Sequence, residues 1–397
     1  MGKINNDTMR ENNISLVLNT MRRAGSISRA ELAKQLNLTS PAVTNIVSNL
    51  IARGMVRETG CAQSAHGRKP ISVSIDPEAC RVLGMVISTD GVSVSLADFA
   101  ANLLYTATRP LELLGDAECI LSAAADCARD CIRESGVDPR RILSMGIAAP
   151  GPLDVARGVM LDPPNFPNFH NVPICRRLEE ALGIPTVLDK ESNAAGLAEY
   201  YYSSQQEVQT VFSLFLLSHS IGGGLLLNGR IVHGFSDGVG DIGHIMVDSN
   251  GPLCSCGQYG CLEAVATADA VVHQLREQLE DPEHADALTF EEVVRLSREN
   301  VPPYRQALDR AVDRIAVALG NVISIISPEM IQIGGPMADL CPELVDQLRS
   351  TIQARVYPRS CSRIRVEKSR LGTEAFPRGA VMLALSAHQT LLCRDPA

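Results

Sequence analysis

The chain of 397 residues carries a formal net charge of −9, is 45% hydrophobic and has no tryptophan. That length has room for two or three domains, each able to bury a core. No apolar run approaches membrane-spanning length, the start MGKINNDTMRENN lacks a signal-peptide core, and twelve cysteines without a secretion signal favour a reducing compartment over a disulfide framework. A cytoplasmic protein with no membrane insertion is expected.

Charge is unevenly placed. Residues 1–75 hold ten Lys or Arg against four Asp or Glu, about +6, and the remaining 322 hold 26 against 41, about −15. A basic head on an acidic body suggests nucleic-acid contact confined to the head.

Within the head, Ile14, Val17, Leu18 and Met21 recur at helical spacing up to Gly25. Ser28-Arg-Ala-Glu31 has the pattern of a capping box and opens a short helix with Leu32, Ala33 and Leu36 on one face. After Asn37-Leu38-Thr39, Ser40 as N-cap and Pro41 at the first helical position start a third helix. Its inner face is Val43, Ile46, Val47 and Leu50, which leaves Ala42, Thr44, Asn45, Ser48 and Asn49 facing out. Small polar residues on the second helix of a helix-turn-helix suit entry into a major groove and bonding to base edges. Met55–Glu58 and Ile71–Ile75 predict two strands around Gly60–Pro70, where Arg68 and Lys69 stand on a glycine-flanked loop suited to a minor groove or phosphates. Residues 1–76 are thus expected to form a mainly α winged helix-turn-helix domain. A helical bundle for protein contacts is the competing interpretation.

Further on, Val82–Ile87, Val92–Asp98 and Leu103–Thr108 predict consecutive strands, Ala117–Glu134 a helix and Ile142–Ile147 another strand. Val211–Leu217 and Gly224–Leu227 begin a second set, followed by a long helix over Ala307–Ile326, a strand over Met330–Ile333 and a helix over Gly379–His388. Strand triplets followed by helix and strand, twice over, predict two α/β lobes.

The stretch Gly240–Glu263, GDIGHIMVDSNGPLCSCGQYGCLE, places His244 ahead of Cys254, Cys256 and Cys261. One imidazole with three thiolates is a standard closed tetrahedral set for zinc, and glycines at 251, 257 and 260 let near neighbours turn inward. These four residues predict a structural zinc site with no open position. The bland alternative is three ordinary buried cysteines.

Gly243-His244, Cys254-Ser255-Cys256-Gly257, Gly260-Cys261 and Glu263 together resemble the zinc signature of the ROK family, which groups sugar kinases with sugar-responsive repressors. The resemblance implies an actin-like, hexokinase-type body: a first lobe over 80–200 with a closing helix at 377–390, and a second lobe over 201–376. The head resembles that of the family's repressors, whose wings often carry a similar Gly-Arg-basic-Pro run.

A phosphoryl-transferring member needs a magnesium carboxylate at the end of its first strand, and Val86 stands where it should be, with Ser88 and Thr89 in place of the family's glycines. Asp90 is four residues late. The family's catalytic Asn-Asp pair falls on Lys190-Glu191, and its phosphate-facing loop on Ser218–Gly224. Glutamate is able to act as a base, yet its extra methylene moves the carboxylate enough to spoil attack geometry. No catalytic residue is therefore expected.

On the sugar side the resemblance implies Asn165, Glu191, Asn193, Asp241, His244 and Glu263 as effector contacts, with Asp241 replacing a glutamate of the motif. The expected protein is a transcriptional repressor of carbohydrate genes. Its partners are operator DNA, a sugar or sugar phosphate, and a second copy in a homodimer or homotetramer. The rivals are a sugar kinase with a fused DNA-binding head, and a body that docks a transport-system protein.

Overall fold

The computed structural model describes residues 6–61, 71–111, 116–202, 208–357 and 361–388. The chain divides into two compact units, Met1–Lys190 with Phe376–Ala397, and Glu191–Ala375.

The first unit begins with α1 (Asn6–Ala24), β1 (Ile27–Ser28), α2 (Arg29–Leu36), α3 (Ser40–Ala52), β2 (Val56–Cys61) and β3 (Ile71–Ile75). Val17, Leu18, Met21, Leu32, Val43, Val47 and Leu50 are fully buried and hold the three helices together. The Ser28–Glu31 capping box forms in both directions. Helix α3 is capped by Thr39, whose side chain accepts from the Ala42 amide, so the expected Ser40 cap moves one residue back. Pro41 then occupies the second helical position, where its missing N–H is equally harmless. Periodicity did not reveal β1. This two-residue strand pairs with β3 and completes a three-stranded sheet in the order β1-β3-β2. Arg68 and Lys69 lie outside the described residues.

At the end of α1, Arg22 donates from Nε and Nη2 to the Phe99 carbonyl (3.3 and 3.1 Å), and its guanidinium lies 5.4 Å from the Phe99 ring centroid. The first lobe continues with β4 (Arg81–Ser88), β5 (Gly91–Asp98), β6 (Leu103–Arg109), α4 (Ala117–Ser135), β7 (Ile142–Ala149), β8 (Leu153–Asp154), β9 (Val159–Met160), α5 (Ile174–Leu182) and β10 (Thr186–Lys190). Its main sheet runs β10-β7-β4-β5-β6, with β4, β5 and β6 antiparallel and β7 and β10 parallel to β4.

The second unit contains α6 (Glu191–Tyr202), β11 (Thr210–Leu216), β12 (Ile221–Leu227), β13 (Arg230–Ile231), α7 (Leu262–Ala266), α8 (Ala268–Arg276), α9 (Pro282–Ala287), α10 (Phe290–Arg298), α11 (Pro302–Ile326), β14 (Met330–Gly334), α12 (Pro336–Leu340), α13 (Glu343–Arg355) and β15 (Arg365–Lys368). Its sheet order, β13-β12-β11-β14-β15, repeats the first: an antiparallel trio, then two parallel strands. Helix α6 goes with this unit because Ser192 and Asn193 pack on the glycines of β12, whereas the sequence division put it at the end of the first lobe. No helix among the described residues is long and apolar enough to cross a membrane.

The closing helix, α14 (Ala375–His388), lies on the first lobe's sheet across two glycines that face each other in register, Gly84 on β4 and Gly146 on β7. A β-carbon on Gly146 would stand 2.1 Å from the Ala380 carbonyl oxygen, and one on Gly84 2.6 Å from the Val381 nitrogen. Gly146→Ala therefore has to lift the helix, which should cost about 1–3 kcal/mol. A urea titration should show a lower midpoint with an unchanged slope.

Candidate functional site

Close backbone contacts shape the second unit around the candidate site residues. Gly222, Gly223 and Gly224 lie inside β12, paired with Phe215, Leu214 and Ser213, so the expected phosphate-facing loop is mostly strand. Their missing side chains admit α6: a β-carbon on Gly224 would meet the Ser192 carbonyl at 3.0 Å, and Ser192 Oγ donates to the Gly223 carbonyl at 2.9 Å. On the other side, the Gly223 amide donates to the Gly240 carbonyl at 2.9 Å. Gly240 sits at φ +92°, and a β-carbon there would fall 2.1 Å from the Gly223 oxygen. This backbone contact fixes where Asp241 and the short helical turn Ile242–His244 begin.

From His244 the chain runs out and back. Met246 bridges Cys261 and Leu253 bridges Tyr259, and between them Cys254 to Gln258 form a tight knuckle closed by Cys254 N to Gln258 O (2.7 Å) and Gly257 N to Cys254 O (2.9 Å). The ligand atoms of His244, Cys254, Cys256 and Cys261 all lie within 4.8 Å of one another. Zinc–sulfur bonds of about 2.3 Å at tetrahedral angles place two sulfurs about 3.8 Å apart. Cys256 Sγ and Cys261 Sγ are 3.7 Å apart, and Cys254 Sγ lies 3.8 Å from His244 Nδ1. Both the donor set and its spacing fit a divalent ion of zinc's size. Burial pushes the Cys254 thiol up and the Cys261 thiol up to about 12, so binding of a metal there would displace protons.

Glu263 ties the loop to the sheet. Its Oε2 accepts from the Ile221 amide (3.3 Å) and its Oε1 from Ser255 Oγ (3.3 Å), between two of the cysteines. Of the expected effector contacts, Asp241 and His244 bound the short helical turn and are exposed, and half-buried Glu263 places Oε2 3.4 Å from where a Gly243 β-carbon would stand. Glu191 opens α6, and Asn193 is fully buried under Gly224. Asn165 belongs to the first unit. Ser192 and Ile221 gave no signal in the sequence, because they act through pairings between distant segments, and Ser255 meets Glu263 only once the loop has folded back on itself.

On the head, Ser40, Thr44, Asn45 and Ser48 are exposed along α3, and Ala42 is half-buried. Asn49 is half-buried as well, and its Oδ1 accepts from Arg53 Nε at 3.1 Å.

Residues 126–387 match the ROK family profile. The chain belongs to the ROK family. Residues 11–57 match a winged helix-turn-helix DNA-binding profile, so this ROK chain is a winged helix-turn-helix followed by the family's actin-like, two-lobed α/β body. It is 25% identical over 390 residues to the xylose repressor of Caldicellulosiruptor bescii, covering 96% of this chain and 97% of the repressor. It is 29% identical over 316 residues to the glucokinase of Thermotoga maritima, covering 76% of this chain and 96% of that one. A crystal structure of a ROK family transcriptional regulator, a homologue of the E. coli Mlc protein, matches with a TM-score of 0.81 at 24% identity, over 97% of this chain and 98% of that chain.

Gly260 tests the loop directly. It sits at φ +68°, and a β-carbon on it would fall 1.6 Å from the Asp248 carbonyl oxygen. Gly260→Ala should displace the adjoining Cys261 and leave the purified protein without bound metal, measured as zinc per chain by atomic emission.

Proposed function

We propose that this ROK protein is a transcriptional repressor of carbohydrate genes. Its winged head binds operator DNA, and its zinc-shaped body senses a sugar without phosphorylating it. The observation that carries the reading is Val86. At the end of β4, where a phosphoryl-transferring relative needs a carboxylate for magnesium, this chain presents an aliphatic side chain. Asp90 does not replace it: it is exposed at the tip of the β4–β5 hairpin, its amide bonded to Ser88 Oγ at 3.3 Å. Lys190, at the end of β10, is buried, its Cδ 3.3 Å from where a Gly151 β-carbon would stand. The likeness to a xylose repressor along nearly the whole chain supports the reading.

In this reading Ser40, Ala42, Thr44, Asn45, Ser48 and Asn49 face the major groove, and Arg68 and Lys69 reach phosphates or a minor groove. Asp241, His244 and Glu263 supply carboxylate and imidazole acceptors to adjacent hydroxyls of the sugar, with Asn165, Glu191 and Asn193 assisting. His244, Cys254, Cys256 and Cys261 hold zinc. The bound ion supplies no reaction chemistry and fixes the angle of the His244 imidazole, whose Nδ1 faces the thiols. One head offers few base contacts, so a homodimer or homotetramer on a pseudo-palindromic site is expected.

The second reading, a kinase with a fused head, is favoured by the likeness to a glucokinase and by the carboxylate retained at Glu191. A coupled ADP-release assay on a sugar panel decides between them: turnover of any sugar overturns the repressor reading. Thermal shift on the same panel, with xylose first, finds the effector, since a ligand that prefers the native state raises the melting temperature. If no sugar alters DNA binding and a transport-system protein is retained from extracts, the body is a docking platform instead.

Two variants test the parts separately. Replacing Arg68 and Lys69 with Ala should flatten the slope of log affinity against log salt by about 2, as two phosphate contacts disappear. An unchanged slope removes the wing from the interface. Cys256→Ser should lose zinc and the sugar response while keeping DNA binding at least in part. A normal response without zinc would place the effector away from His244.

A further inference from the structure

We infer that Arg314 of α11 is a positioning residue for the metal loop, setting how tightly His244, Cys254, Cys256 and Cys261 hold a divalent ion; this rests on the metal reading above. Arg314 donates from Nη1 to the Val247 carbonyl at 3.2 Å and from Nη2 to Asp248 Oδ2 at 2.7 Å. Two acceptors on neighbouring residues suit the planar fork of a guanidinium, which a lysine does not reproduce.

What Arg314 grips is the segment that follows His244 and pairs with the residues around Cys261. The Val247 and Asp248 amides both donate to the Gly260 carbonyl, at 2.9 and 3.2 Å, immediately before Cys261. Asp248 also shapes the turn behind it: its carbonyl accepts from Gly251 N (3.0 Å) and its Oδ1 from Asn250 N (3.1 Å). On the next rung Leu262 N donates to the Ile245 carbonyl at 2.9 Å, and Cys261 Sγ lies 3.6 Å from the His244 carbonyl. Residues 244–248 and 260–262 therefore move together, and they carry two of the four ligands. Helix α11 is a rigid reference for them, because Ala311, Val312, Ile315 and Ala316 around Arg314 are buried in the core of the second unit. Removing the guanidinium leaves the ligands in place and frees the pairing that sets their mutual angle. Groups that orient metal ligands are typically worth 10–100-fold in affinity. Arg314 acts through one intervening pairing, so the lower end applies.

The test measures zinc affinity of the full-length protein by competition with a chromophoric chelator, for wild type, Arg314→Ala, Arg314→Lys, Asp248→Asn, the Arg314→Ala/Asp248→Asn double variant and Arg305→Ala. Arg305 lies on the same helix, paired with Asp309 at 3.1 Å and away from the loop. Arg314→Ala should bind zinc about tenfold more weakly. Arg314→Lys should fall in between, the double variant should be little weaker than Arg314→Ala alone, and Arg305→Ala should be unchanged. The melting temperature of the metal-free protein should barely move in Arg314→Ala, while the rise on adding zinc shrinks. Zinc affinity within twofold of wild type in Arg314→Ala, or an equal loss in Arg305→Ala, overturns the inference. If Arg314→Ala fails to fold, Arg314→Lys decides by the same comparison. A wild-type protein that takes up no zinc overturns the metal reading itself.

Discussion

Between Gly260 and the Asp248 carbonyl there is no room for a β-carbon, and the candidate metal site depends on that closeness. The contact lets the amides of Val247 and Asp248 share one carbonyl oxygen, which brings the start of the loop against its end. His244 and Cys261, seventeen positions apart in the chain, then stand on neighbouring rungs. Three cysteines in a row of turns would meet one another without this pairing; the histidine would not join them. Arg314 and Glu263 secure the arrangement from outside, one from the long helix and one toward the sheet.

The same device recurs at two other places where backbones approach closely. Gly223 and Gly240 join the second sheet to the segment that carries Asp241 and His244, while Gly84 and Gly146 form a flat bed for the closing helix. Each pairing trades side-chain burial for a shorter backbone separation. That trade is tolerated because the flanking positions, such as Met85, Ile147 and Leu226, are fully buried apolar residues that supply the core. A fold assembled in this way is intolerant of added bulk at a few points and permissive elsewhere.

In the proposed reading, kinase-like architecture survives without kinase chemistry. The two sheets keep their repeated topology, and relatives with that body include both a repressor and a glucokinase. What separates the two outcomes is local. In that reading Val86 puts an aliphatic side chain where phosphoryl transfer would need a carboxylate to organise magnesium. In that reading sugar recognition needs only acceptors held at fixed spacing, the role proposed for Asp241, His244 and Glu263. Within the first unit, Arg22 joins α1 to the carbonyl and ring of Phe99, just past β5.

Several features were legible in the residues alone. The helices of the head announced themselves by apolar spacing, by a Ser-x-x-Glu box and by proline near a helix start, which are local signals. The metal cluster was legible because three of its ligands fall within eight residues and the fourth lies ten before them. Val86 was legible as a residue type at a motif position. What tertiary structure decided was every feature made by segments far apart in the chain. The strand β1 exists only because Ile27 and Ser28 find Val73 and Ser72. The glycines of β12 belong to a strand because α6 and the Gly240 turn press on them from two sides. Arg314 gave no signal at all, since an arginine on a helix has the same periodicity whether it meets solvent or a loop 66 residues away. Periodicity records which face of an element is buried; it does not record what lies against that face.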